Sequence, residues 1–147
     1  FHLAIIVVGN ELYADDGAGV VVVRIKSERI GEVADILLIE GAQAPENFTG
    51  VIRRFNPGTV LIVDAVDDGK TPGEIFWINV EDIDGFSAST HSLPLSMLAK
   101  FIQHEIECEI EILGIQVTQL TMGSTMSHPV KNAVSLITDE LSIYVLD

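Results

Sequence analysis

Six apolar residues in succession, Leu3 to Val8, run straight into Gly9-Asn10-Glu11-Leu12-Tyr13-Ala14-Asp15-Asp16-Gly17-Ala18-Gly19, and apolar residues then resume at Val20 to Val23 and Ile25. A short unbroken apolar run ending at Gly reads as a strand buried on both faces, and Asp ahead of a new periodic stretch reads as a helix start. The junction is therefore a strand-to-helix turn at the carboxyl end of a strand, where open α/β sheets bind ligands. Nucleotide-binding folds fill that turn with glycines and a helix N-terminus that accepts phosphate. Here Gly9, Gly17 and Gly19 do not fit the G-x-G-x-x-G spacing, and Asp15 and Asp16 repel a pyrophosphate. The turn suits a cation.

The remaining chain alternates strand and helix patterns. Gly17 to about Arg29 predicts an amphipathic helix, Ala34 to Ile39 a second strand, and Glu46 to Phe55 a short helix ending before Asn56-Pro57-Gly58. Thr59 to Ala65 is the most strand-like segment and is expected at the centre of the sheet. After the turn-rich stretch Asp67 to Gly73, Glu74 to Val80 alternates as a half-exposed edge strand, and Glu81 to Ser92 reads as a polar loop. Pro94 suits the first turn of a helix to about Ile106, with Ser92 or its neighbour as cap; Glu109 to Gln116 is the last strand, and Pro129 opens a final helix towards Tyr144. The order predicts an α/β fold: a single three-layer domain over 1–147, with a twisted, mainly parallel sheet of about five strands and helices on both faces.

With 147 residues the chain is long enough to bury about two-thirds of its unfolded surface. Its 8 Lys and Arg against 22 Asp and Glu give a net charge of −14, which opposes binding to nucleic acid or an anionic membrane and leaves a protein as the expected macromolecular partner. The apolar runs are too short to span a bilayer. Phe1 to Val8 lacks the basic region and cleavage site of a signal peptide, and the lone Cys108 allows no intrachain disulfide. A cytoplasmic protein is expected. Glu107 and Glu109 flank Cys108 and are expected to raise its pKa by like charge, the wrong direction for a nucleophile.

Three candidates for chemistry fall at loop positions on one rim of such a sheet: Asp16 after the first strand, Asp64 at the end of the third, and His91 in the loop before the Pro94 helix. Two carboxylates and an imidazole suit Zn, Ni, Mn or Fe(II), with positions left open for water or substrate. Blander readings stand beside this one. Asp15 or Asp16 serves equally as a helix N-cap, Asp64 as a solvated strand terminus, and His91 as a cap or surface residue. His104 and His128 read as surface or loop residues. No G-x-S-x-G is present, His104-Glu105-Ile106-Glu107-Cys108 lacks the second His of H-E-x-x-H, and Val66 and Ile75 break an EF-hand reading of Asp64 to Gly69.

The segments Val8 to Gly19, Leu61-Ile62-Val63-Asp64-Ala65 and Thr90-His91-Ser92-Leu93-Pro94-Leu95 resemble the hydrogenase maturation endopeptidase family. They most resemble the branch serving formate-hydrogenlyase and related membrane-bound NiFe hydrogenases. Gly41 to Asn47, Pro72-Gly73-Glu74-Ile75 and Leu113-Gly114-Ile115-Gln116 extend the resemblance in order over nearly the whole chain. It implies an aspartyl-type endopeptidase that removes a C-terminal extension from the hydrogenase large-subunit precursor after nickel insertion. The family's metal-contacting positions carry over as Asp16, Asp64 and His91. Some members have Glu at the first, so Asp16 keeps the charge with a reach shorter by one methylene.

On this implication nickel is supplied by the substrate, other divalent metals being able to occupy the site, and docking at Asp16, Asp64 and His91 makes the metal the specificity key. One Asp would then act as general base. Gly41, Ala42 and Gln43 form an expected substrate loop: the small residues leave it loosely held, and the Gln43 amide both donates to and accepts from an extended peptide. An ordinary β-to-α connection accounts equally well for that composition. Two other functions use the same three residues: a non-catalytic nickel-sensing checkpoint of hydrogenase assembly, and a small-molecule hydrolase with a metal-bound water.

Overall fold

The apolar run at the start of the chain is buried along its whole length. In the computed structural model, which describes residues 2–8, 36–42, 45–87, 94–117, 126–133, 135, 136 and 139, every residue of strand β1 (Leu3–Val8) is shielded from solvent. The other strands are β2 (Ile36–Ala42), β3 (Thr59–Val66), β4 (Ile75–Ile78) and β5 (Glu109–Gln116). They form one sheet in the order β2-β1-β3-β5-β4. All neighbours are parallel except β4, which lies antiparallel on the edge beside β5. β3 is central, as its composition predicts.

Side chains leave β1 and β3 alternately towards two cores, because successive strand residues point to opposite faces. Ala4, Ile6 and Val8 join Val60, Ile62 and Val66 on one face. There they pack against Ile52 of helix α1 (Thr49–Phe55), Ile83 of helix α2 (Ile83–Phe86), and Leu98 and Ile102 of helix α3 (Leu95–Ile106). Leu3, Ile5, Val7, Leu61 and Val63 join Val130 and Ala133, from a helical segment beginning at 128, on the other face. Helices on both sides of a mainly parallel sheet make the expected three-layer arrangement. Among the described residues, no helix is long and apolar enough to cross a membrane.

Several boundaries differ from expectation. β2 extends past Ile39 to Ala42 because β1 continues to Val8 and its backbone requires a partner there; the register steps from Val7↔Glu40 to Val8↔Ala42, leaving Gly41 as the extra residue. Such an irregularity accommodates Gly readily. Gly41 and Ala42 are therefore strand residues and not part of a loop. The stretch from Glu46 opens as a 3-10 turn (Pro45–Phe48) before α1, whose end at Asn56 adopts the left-handed conformation, φ 52°, that Asn tolerates. The expected polar loop from Glu81 contains a 3-10 turn (Val80–Asp82) and α2, held by the fully buried Ile83. The helix expected over Gly17 to Arg29 and the approach of the last helix to Tyr144 lie outside the described residues.

The centre of β3 supports both cores, whereas Trp77 on β4 is 65% exposed. Ile62→Ala is expected to destabilise the protein by about 2–5 kcal/mol through lost burial and a residual cavity. Trp77→Ala should cost less than half as much, with urea unfolding as the measurement.

Candidate functional site

Of the three residues expected to contact metal, Asp64 falls among the described residues and Asp16 and His91 lie outside them; of the expected substrate loop, Gly41 and Ala42 are the end of β2 and Gln43 lies outside the described residues. Asp64 occupies the sixth position of β3, on the face of the sheet that carries Val60, Ile62 and Val66. Its relative exposure is 0%, which overturns the reading of a solvated strand terminus. A carboxylate taken out of water needs hydrogen-bond donors or a cation in compensation. One donor is Ser87, whose Oγ donates to Asp64 Oδ2 at 2.7 Å.

The strand order gives this position its context. The chain passes from β1 outward to β2 on one side and then returns to β3 on the other, so the winding reverses between β1 and β3. Open α/β sheets bind ligands at the carboxyl ends of the strands flanking such a reversal. β1 and β3 pair from Leu3↔Thr59 to Val7↔Val63, and β3 then continues through Asp64 to Val66. Beyond that pairing, residues 86–87 take over the β1-side edge of β3: Val66 and Ser87 form an antiparallel bridge, and the Asp67 amide donates to the Phe86 carbonyl at 2.7 Å.

On the opposite edge, Asp64 is in register with Gly114 of β5. A Cβ at Gly114 would meet Ile78 Cδ1 at 2.5 Å and Val66 Cγ2 at 2.9 Å, so the absent side chain lets two apolar groups close beside the carboxylate. Two residues on, buried Gln116 uses both ends of its amide. Its Oε1 accepts from the Asp68 and Lys70 backbone amides at 2.9 and 3.2 Å, and its Nε2 donates to Asp67 Oδ1 at 3.1 Å and to the Val117 carbonyl at 2.9 Å. The turn after β3 is tied to β5 through this side chain. That turn also requires Gly73, at φ 86°, whose Cβ would collide with the Pro129 backbone.

α2 braces the start of α3. Ser96 donates its backbone amide to Asp84 Oδ1 at 3.0 Å, and its hydroxyl contacts Asp84 Oδ2. Thus the first turn of α3 is capped from α2, and Pro94 at the cap position makes no side-chain cap bond. Ser92, the expected cap, lies outside the described residues. Sequence reasoning missed Ser87 and Asp84 because a four-residue helix carries too little periodicity to separate it from a polar loop.

Among the described residues, no group of three His, Cys, Asp or Glu could hold a metal ion. Asp64 supplies hard carboxylate oxygen, a donor type compatible with divalent cations. His104 and His128 are exposed, on α3 and on the helical segment at 128. Cys108 is buried ahead of β5, level with the start of β3, roughly 20 Å from Asp64 at about 3.3 Å per strand residue. Burial pushes its thiol pKa up, so the expected direction holds but desolvation, not the flanking glutamates, is the cause. Cys108→Ala is expected to leave catalytic activity unchanged, and iodoacetamide at neutral pH should label the native thiol only at the rate of global unfolding; rapid native labelling with loss of activity would contradict this.

The comparisons with known proteins agree along the chain. A family model, HycI hydrogenase maturation protease, matches residues 20–142, a span that includes Asp64 and His91. The hydrogenase 3 maturation protease of Escherichia coli strain K12 is 36% identical over 137 residues, covering 91% of this chain and 85% of its own length. A putative hydrogenase maturation protease of Methanocaldococcus jannaschii is 37% identical over 120 residues, covering 78% and 71%. Among solved structures, a NiFe hydrogenase maturation protease, HycI, from Thermococcus kodakarensis KOD1 matches with a TM-score of 0.89 at 26% identity, over 99% of this chain and 93% of that one.

Proposed function

Because this chain belongs to the hydrogenase maturation protease family, we propose that it is a cytoplasmic endopeptidase that removes the C-terminal extension of a NiFe hydrogenase large-subunit precursor after nickel insertion. Nickel arrives as part of the substrate and is the recognition element. The observation that carries the reading is a fully buried carboxylate, Asp64, at the carboxyl end of the central strand beside the reversal of the sheet's winding. Such a group has no role in an apolar core, yet it occupies the position where this architecture binds ligands.

In this mechanism Asp64, with Asp16 and His91, contacts the nickel carried by the precursor and holds the scissile bond at the rim. Precursor that lacks nickel gains no such contact, so cleavage follows metal insertion. Reduced access of water around Asp64 strengthens its attraction for a divalent cation relative to an exposed carboxylate. Asp16 or Asp64 takes the proton from the attacking water, a role that needs a carboxylate within hydrogen-bond reach. The net charge of −14 disfavours nucleic acid as a competing ligand.

The test is mass spectrometry of nickel-loaded precursor incubated with the chain. Asp64→Asn keeps the shape and an acceptor for Ser87 but removes the charge, and should slow cleavage by about a hundredfold or more, the scale on which a positioned carboxylate contributes. Asp16→Asn and His91→Ala should act likewise. Tight binding of nickel-loaded precursor with no change in mass would instead assign the chain to a nickel-sensing checkpoint, and hydrolysis of small esters without precursor to a small-molecule hydrolase.

Substrate choice is proposed to involve the connection that follows Gly41 and Ala42, through Gln43. Gln43→Ala is expected to slow processing several-fold with nickel affinity unchanged, because Gln43 would touch peptide and not metal. An equal loss of nickel affinity would count against that division of roles.

A further inference from the structure

The last torsion of an Asp side chain is broad, so burial alone does not orient a carboxylate; a fixed donor does. At Asp64 one such donor among the described residues is Ser87, and the position of Ser87 is set by its backbone. Its amide donates to the Ile83 carbonyl at 2.9 Å, Ile83 is fully buried, and Ser87 bridges Val66 two residues beyond Asp64. From this anchored backbone the hydroxyl reaches Asp64 Oδ2 at 2.7 Å. The same short helix holds the start of α3 through Asp84 and Ser96. The described residues on either side of 88–93, the stretch containing His91, are therefore both tied to α2, one of them directly to Asp64.

We infer that Ser87 is a positioning residue for precursor cleavage: it sets the orientation in which the Asp64 carboxylate meets the metal borne by the substrate. The inference rests on the role proposed above for Asp64. Ser87→Ala removes only the hydroxyl and leaves the backbone bridge in place.

Three variants, Ser87→Ala, Ser87→Thr and Asp64→Asn, are compared with the unchanged chain by calorimetric titration of nickel chloride alone and by steady-state processing of nickel-loaded precursor. Loss of an orienting partner typically lowers metal affinity roughly ten- to hundredfold. Ser87→Ala should show a nickel loss in that range and a matching rise in KM, with a smaller change in kcat. Ser87→Thr, which keeps the hydroxyl, should recover most of both. If Ser87→Ala fails to fold by circular dichroism, Ser87→Cys, with similar shape and a weak donor, takes its place. Unchanged nickel affinity and KM in Ser87→Ala, beside clear losses in Asp64→Asn, would overturn the inference and leave the reading of Asp64 standing. Equal impairment of the Ala and Thr variants would reduce Ser87 to a structural role. Should the unchanged chain take up no free nickel, KM for nickel-loaded precursor decides on the same terms; Asp64→Asn behaving like the unchanged chain would remove the reading of Asp64 and the inference together.

Discussion

A carboxylate with no exposure to water, at the end of a strand that is otherwise apolar, sets the terms for everything around it. Burying an ionisable group unaided costs several kcal/mol or more, so Asp64 can persist only where its surroundings compensate. Ser87 provides one hydrogen bond. Around that contact the pairing scheme changes hands, β1 giving way to residues 86–87 along β3. On the other edge Gly114 leaves room for Ile78 and Val66 to pack close.

Among the described residues, polar bonds hold the rim beyond Asp64. Gln116 ties the turn after β3 to the end of β5, and the Gly73 amide donates to the Gln116 carbonyl at 2.8 Å. Gly73 in turn lies against the Pro129 backbone, which brings the helical segment on the opposite face into the same arrangement. The segments meeting at this end of the sheet are thereby coupled, and a change at Gln116 would be felt in several of them. At the amino-terminal end of β5, Cys108 sits as a small apolar group, its thiol pKa raised by burial.

The parallel sheet with helices on both faces is shared with solved hydrogenase maturation proteases. A fold alone does not specify an activity. A particular carboxylate at a particular strand end, within the span that matches the family, supports the peptidase reading.

Much of this architecture was legible from residue order. Unbroken apolar runs at β1 and β3, the alternation at β4 and the punctuation by Asn56-Pro57-Gly58 and Pro129 report on backbone state locally, and they predicted the strands, the central place of β3 and the position of Asp64 at a strand end. The tertiary structure decided matters that depend on residues distant in sequence. β2 continues to Ala42 because β1 offers it a ladder partner, not because Glu40, Gly41 and Ala42 favour a strand. α2 exists because Ile83 finds the core, though four residues are too few to display a helical period. Whether Asp64 was solvated or buried could not be read from its neighbours in the chain; Ser87, which donates to it, lies 23 residues along the sequence and is held there by an antiparallel bridge to Val66. Local propensity and periodicity are written residue by residue, whereas desolvation and hydrogen-bond partnership are properties of the packed assembly.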